Sequence, residues 1–81
     1  MCINEAPINK KLIVRSFRNN ELREFSDLES RLMHLGFMDG AQIRIARKVS
    51  LFSGPYLVEV RGRYVALTAE EAELVLVEVL E

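Results

Sequence analysis

The chain offers few groups for chemistry. His34 is its only histidine and Cys2 its only cysteine. His34 could ligate a metal together with Glu or Asp neighbours, but a lone histidine is weak evidence for such a site. A cationic side chain is in any case favourable near a helix C-terminus, where that histidine falls. Glu70-Glu71 is a paired acid, but the pair follows Thr68 and reads as first-turn helix charge rather than a general acid–base couple. The glycines at 36, 40, 54 and 62 are scattered turn residues and build no phosphate-cradling loop. Neither a C-x-x-C nor an H-E-x-x-H motif is present. The sequence therefore predicts no enzyme, no cofactor and no metal site. Two features point instead to binding. Leu51-Phe52 falls in a loop between strands, where large apolar groups are costly to expose. Arg44, Arg47, Lys48, Arg61 and Arg63 form a basic set on adjacent strands. Leu51, Phe52, Arg47 and Lys48 are the expected partner-binding residues. The alternative for the loop is that it folds back and seals the end of the fold. The basic set lacks interleaved aromatics for base stacking, so a nucleic-acid-binding barrel is the weaker alternative.

These residues must be positioned by a small scaffold. A chain of 81 residues is one domain, and it buries only about 60% of the surface its unfolded form exposes. The composition, 49% hydrophobic and 28% charged, is that of a folded globular chain. A single cysteine permits no intrachain disulfide, which suits a reducing compartment. Neither a secretory leader nor a membrane-length apolar run is recognisable, so a cytoplasmic location is expected. Charge is unevenly spread. Residues 1–67 hold all 11 Lys and Arg with 7 of the 12 acids, whereas residues 68–81 hold five acids and no base. An acidic final strand that neutralises a basic neighbour within the fold is the expected reason.

Residues 1–9 carry little pattern and are expected to be a loose arm ahead of a domain over 10–81. Residues 11–17, centred on Leu12-Ile13-Val14, read as the first strand, followed by an Asn19-Asn20 turn. Leu22, Phe25, Leu28, Leu32 and Leu35 recur at helical spacing, with Asn20 or Ser26 as the cap. Gly36 is placed to end this helix in a Schellman motif, with Phe37 packing back on Leu32. Asp39-Gly40 is a turn. Ala41, Ile43, Ile45 and Val49 alternate with Gln42, Arg44 and Lys48, as in a half-buried strand. Ser53-Gly54-Pro55 marks a loop, residues 56–61 a further strand, Gly62-Arg63 a tight hairpin and residues 64–67 the return. Thr68 with Glu71 forms a capping box over one short helical turn. Val75, Val77 and Val79 on one face and Leu76 and Leu80 on the other make a last strand covered on both sides. The order is β-α-β-β-β-(short helix)-β. Pairing the first strand with the last protects the edges of so small a sheet, which predicts a mainly β fold, a five-stranded SH3-like barrel with a helix after its first strand.

Residues 31–40, Arg31-Leu32-Met33-His34-Leu35-Gly36-Phe37-Met38-Asp39-Gly40, resemble the L-x-x-L-G-[hydrophobic]-x-x-G signature of the ferrous-iron transport protein A (FeoA) family. Val58-Glu59-Val60-Arg61-Gly62 resembles its V-x-V-R-G hairpin. Val65-Ala66-Leu67 and residues 71–77 resemble its ending. The resemblance runs over residues 10–80, with a departure at 5–11, which lacks the family's L-x-x-L-x-x-G opening, and a long segment at 19–26. It implies an SH3-like barrel. It also implies an accessory protein of bacterial ferrous-iron uptake, whose partner is the ferrous-iron transporter B, a membrane permease with a GTP-binding domain. The same module closes iron-dependent repressors, but no helix-turn-helix is seen ahead of it here. A stand-alone peptide-binding barrel is the other reading.

Overall fold

A computed structural model describes residues 1–18, 27–48 and 55–80. After a single 3-10 turn at Ile3–Glu5 come β1 (Leu12–Phe17), α1 (Asp27–Leu35), β2 (Gln42–Lys48), β3 (Tyr56–Val60), β4 (Arg63–Leu67), α2 (Ala69–Leu74) and β5 (Val75–Val79). All strand pairs are antiparallel, in the order β4-β3-β2-β1-β5. The first strand thus pairs with the last, as alternation and edge protection led us to expect. The sheet is not closed by hydrogen bonds: β4 and β5 end the order, and α2 spans the gap between them. The expected Asn19-Asn20 turn, the caps Asn20 and Ser26, Leu22 and Phe25, Val49 and the Leu51-Phe52 loop lie outside the described residues.

Alternation explains the core. Leu12 and Val14 of β1, Ile43 and Ile45 of β2, Val58 and Val60 of β3, and Val75 and Val77 of β5 all point inward and are buried. Bulges between Val14 and Ser16 and between Ile45 and Arg47 break strict alternation, bending the strands around this core. From α1, Leu32 enters the core and Leu35 packs at its margin. The helix ends as its sequence requires. Gly36 has φ +112°, its N–H donates to Met33 O at 3.0 Å, and Phe37 N–H donates to Leu32 O at 3.1 Å, the two bonds of a Schellman motif. Phe37 is buried against the same cluster as Leu32. At α2, Thr68 Oγ1 accepts from Glu71 N–H at 3.1 Å while Glu71 Oε1 accepts from Thr68 N–H at 2.8 Å.

Two expectations are corrected. Residues 1–9 are not a loose arm. Cys2, Ile3 and Ala6 are buried, and the 3-10 turn packs on α2. The turn is held by Cys2 N–H donating to Glu5 Oε1 at 3.0 Å and Glu5 N–H donating to Cys2 O at 2.9 Å. Cys2 bridges to Leu76, and Val77 N–H donates to Met1 O at 2.7 Å, so the first residues cover the edge of β5 that faces away from β1. A bare β5 edge would present unpaired backbone groups next to an apolar strand, and this segment satisfies them. The β3–β4 hairpin is also one residue earlier than expected. Its two turn residues are Arg61 (φ +55°) and Gly62 (φ +75°), with Val60 opposite Arg63. Positive φ at both positions is the type I′ geometry that matches strand twist. A side chain at the first of them costs roughly 1–2 kcal/mol relative to glycine.

The acidic tail does meet basic neighbours. Glu78 of β5 accepts from Arg15 at 3.1 Å, and buried Glu71 lies 3.4 Å from Arg31 of α1. Arg15 and Glu78 are both exposed, so that pair contributes little to stability on its own, whereas the Glu71 carboxylate is buried beside its arginine.

Candidate functional site

The end of β2 carries Arg47 and Lys48 side by side, both exposed. The bulge after Ile45 sets them opposite Leu57 and Tyr56. Lys48 is anchored: its Nζ donates to Asn4 O at 3.3 Å and stands 5.6 Å from the centroid of the Tyr56 ring. Arg47 has no ion-pair partner among the described residues. Leu51 and Phe52, which follow three and four positions after Lys48, lie outside the described residues.

The other members of the basic set are not part of this cluster. Arg44 belongs to a polar network on the β2–β3 face. Its Nε donates to Glu59 Oε1 at 2.9 Å, its Nη1 to Asn9 Oδ1 at 2.8 Å, and its Nη2 lies 3.5 Å from the Tyr64 hydroxyl. The hydrogen bond to Glu59 raises the Arg44 pKa and holds the guanidinium charged. Arg61 is the first residue of the β3–β4 turn, and Arg63 opens β4 just after it. Cross-strand register explains the Arg44–Glu59 pair, since the two residues face one another directly.

Sequence reasoning missed an apolar groove of about 440 Å³ between β1 and the C-terminal end of α1. β1 pairs with β2 at Leu12 and Ile13, and beyond the start of β2 it runs on alongside the α1–β2 connection, where Val14 N–H donates to Ala41 O and Gly40 N–H donates to Val14 O, both at 2.8 Å. The groove is lined by Val14, Phe17 and Phe37 and flanked by Met33 and Met38, which are 39% and 38% exposed. The signal was present in the sequence as two methionines bracketing the helix end. Methionine adapts its shape to varied partners and is common on such surfaces.

His34 is exposed in the last turn of α1, and Cys2 is buried at the far end of the chain. Cys2 is therefore not an exposed thiol. Among the described residues no three His, Cys, Asp or Glu side chains gather where they could hold a metal ion. Ferrous iron is held by imidazole and carboxylate groups converging on one point. With one histidine and one cysteine in the whole sequence, anaerobic Fe(II) titration is expected to show no stoichiometric site tighter than about micromolar. A sub-micromolar site would contradict this. Among the described residues no helix is long and apolar enough to cross a membrane.

A five-stranded antiparallel sheet with one helix after its first strand and a short one before its last is an SH3-like fold. The family model for the FeoA domain matches residues 1–79, and the chain belongs to the FeoA family. The solved FeoA of Stenotrophomonas maltophilia, complexed with zinc, is 31% identical. The match covers 96% of this chain and 89% of that one, with a TM-score of 0.81. That protein is described as an SH3-domain protein and a candidate ferrous-iron transport activating factor. The FeoA-like protein of Clostridium acetobutylicum is 28% identical over 100% of this chain and 87% of that one, with a TM-score of 0.80. ScaR, solved with bound Cd²⁺, is 27% identical. It matches 96% of this chain but only 35% of its own length, with a TM-score of 0.77. A search of curated proteins finds no significant match.

Proposed function

We propose that this protein is a cytoplasmic accessory subunit of bacterial ferrous-iron uptake that acts by binding the ferrous-iron transporter B and altering its activity or assembly. The observation that carries this reading is the FeoA-family match over nearly the whole chain. The proposed contact is Leu51-Phe52 with Arg47 and Lys48. Phe52 supplies a large apolar anchor, the kind of group that dominates interface energy. Arg47 and Lys48 steer an acidic partner and raise the encounter rate. The groove beside α1 favours a second reading of the same class, a domain that takes an apolar peptide.

The double change Leu51→Ser, Phe52→Ser tests the first reading. The expected result is loss of permease capture and of iron-dependent growth with little change in thermal midpoint. If the loop instead seals the core, the variant loses several kcal/mol of stability, of the order seen when buried apolar groups are removed. Full capture by a fully stable variant removes the loop from the contact. Capture that then fails on Met33→Ser, Met38→Ser moves it to the groove.

A further inference from the structure

A second cleft, of about 240 Å³, lies at the β3–β4 turn end of the sheet. It is lined by Lys11 just ahead of β1, Gln42 and Arg44 of β2, Glu59 of β3, and Arg61 with Gly62 of the turn. Three of these residues are cations and one is a carboxylate. Glu59 is already committed, because its Oε1 accepts from Arg44 Nε and lies 2.7 Å from Arg44 Nη2. Arg44 is likewise held by Glu59, Asn9 and Tyr64. The pair forms a fixed wall, and the charges of Lys11 and Arg61 have no ion-pair partner among the described residues.

Arg61 is the informative member. It occupies the first position of a type I′ turn at φ +55°, where asparagine or glycine fits with less strain. Its side chain runs beside Gly36: a Cβ on Gly36 would come within 3.3 Å of Arg61 Cδ, so the missing Cβ makes room for the stem. A long cationic side chain is thus kept where the backbone disfavours it, and it is seated at the rim of a cleft with excess positive charge. Strained positions of this kind recur where the side chain has a task.

We propose that this cleft binds a compact phosphoryl-type oxyanion, with Arg61 and Lys11 supplying charge and Gln42 a neutral amide donor. The guanidinium fork suits two oxygens of one phosphoryl group. The lining carries an excess of two positive charges, which matches a dianion. A single carboxylate leaves one cation unmatched. The inference is independent of the permease contact, since none of these residues belongs to the strand end that carries Arg47 and Lys48.

The test is a titration of the full chain with inorganic phosphate near neutral pH and at constant ionic strength, read by amide NMR. Saturable shifts are expected at Lys11, Gln42, Arg61 and Gly62. Arg61→Asn places a residue that the turn favours, so its thermal midpoint should hold or rise while phosphate affinity falls roughly tenfold or more. Lys11→Gln should weaken binding several-fold by removing the second charge. Shifts that never saturate overturn the proposal, as does equal affinity in wild type and Arg61→Asn. A tetraglutamate peptide that binds more tightly than phosphate also overturns it, in favour of a carboxylate-bearing partner.

Discussion

Ile3→Ala should lower the unfolding free energy by about 2–5 kcal/mol, the range for truncating a fully buried isoleucine. Ile3 is 0% exposed and belongs to the same cluster as Leu12, Val14 and Val77. It is held there by the 3-10 turn, which also packs on α2. The alanine variant loses the transfer energy of the removed carbons and leaves a cavity that the sheet cannot fill without moving β5. A chain of this size has on the order of 4–12 kcal/mol of stability, so the loss is a large share of the total. Ile8→Ala is the internal control. Ile8 lies in the same nine residues but is 42% exposed, and its truncation should shift stability by less than about 0.5–1 kcal/mol. Urea denaturation of the two variants distinguishes a docked segment from a loose one. Equal midpoints for both would mean that residues 1–9 contribute nothing to the fold.

Gly36→Val should cost roughly 2–5 kcal/mol, from two sources that act at one residue. The first is backbone conformation: φ +112° lies in a region that a side chain with a Cβ rarely adopts. The second is space, because a Cβ there would stand 3.1 Å from Val60 Cγ2, and Val60 is itself fixed in the core. Relief by opening the turn would forfeit the Schellman bonds from Gly36 and Phe37, and Phe37 would be drawn from the core. Gly36→Ala carries the conformational part with less crowding and should fall between wild type and valine. Calorimetry orders the three. A valine variant that melts with the wild type would show that the helix does not end on this residue's left-handed conformation.

The strands, both helices and both helix-end motifs were legible because each has a local cause. Leu12 to Val14, Ile43 to Ile45 and Val75 to Val79 alternate with period two, and Thr68, Glu71, Gly36 and Phe37 are capping residues in standard positions. The pairing of β1 with β5 followed from the need to protect edges. The N-terminal segment was not legible, since one 3-10 turn is too short for periodicity to register. Its trace was Cys2-x-x-Glu5, a spacing at which the glutamate returns to a backbone N–H, with apolar Ile3 inside it. The hairpin was misplaced by one because asparagine, aspartate or glycine is the usual first residue of a type I′ turn, and arginine stands there instead. The groove beside α1 was hidden for a different reason. It arises where β1 runs on past the first residue of β2 and meets the end of α1, a juxtaposition that register sets and no single segment encodes.

The contacts at the N-terminus have a kinetic consequence. Met1 and Val77 are separated by 76 positions, and their backbones are hydrogen-bonded, as are those of Leu80 and Lys11. Closing so long a loop carries an entropic cost that only the completed chain can offset. The β2–β3–β4 meander needs no such closure, because its strands follow one another through short connections. It can pair early, whereas β1, β5 and the first six residues must wait for one another and lock together last. Folding should therefore be slow for a domain of this length, in the range of β-rich folds with distant contacts. Stopped-flow kinetics should show Val58→Ala, in the meander, mainly slowing folding. Ile3→Ala should mainly speed unfolding. During synthesis a ribosome would hold a paired meander while β1 lacked its outer neighbour until β5 emerged.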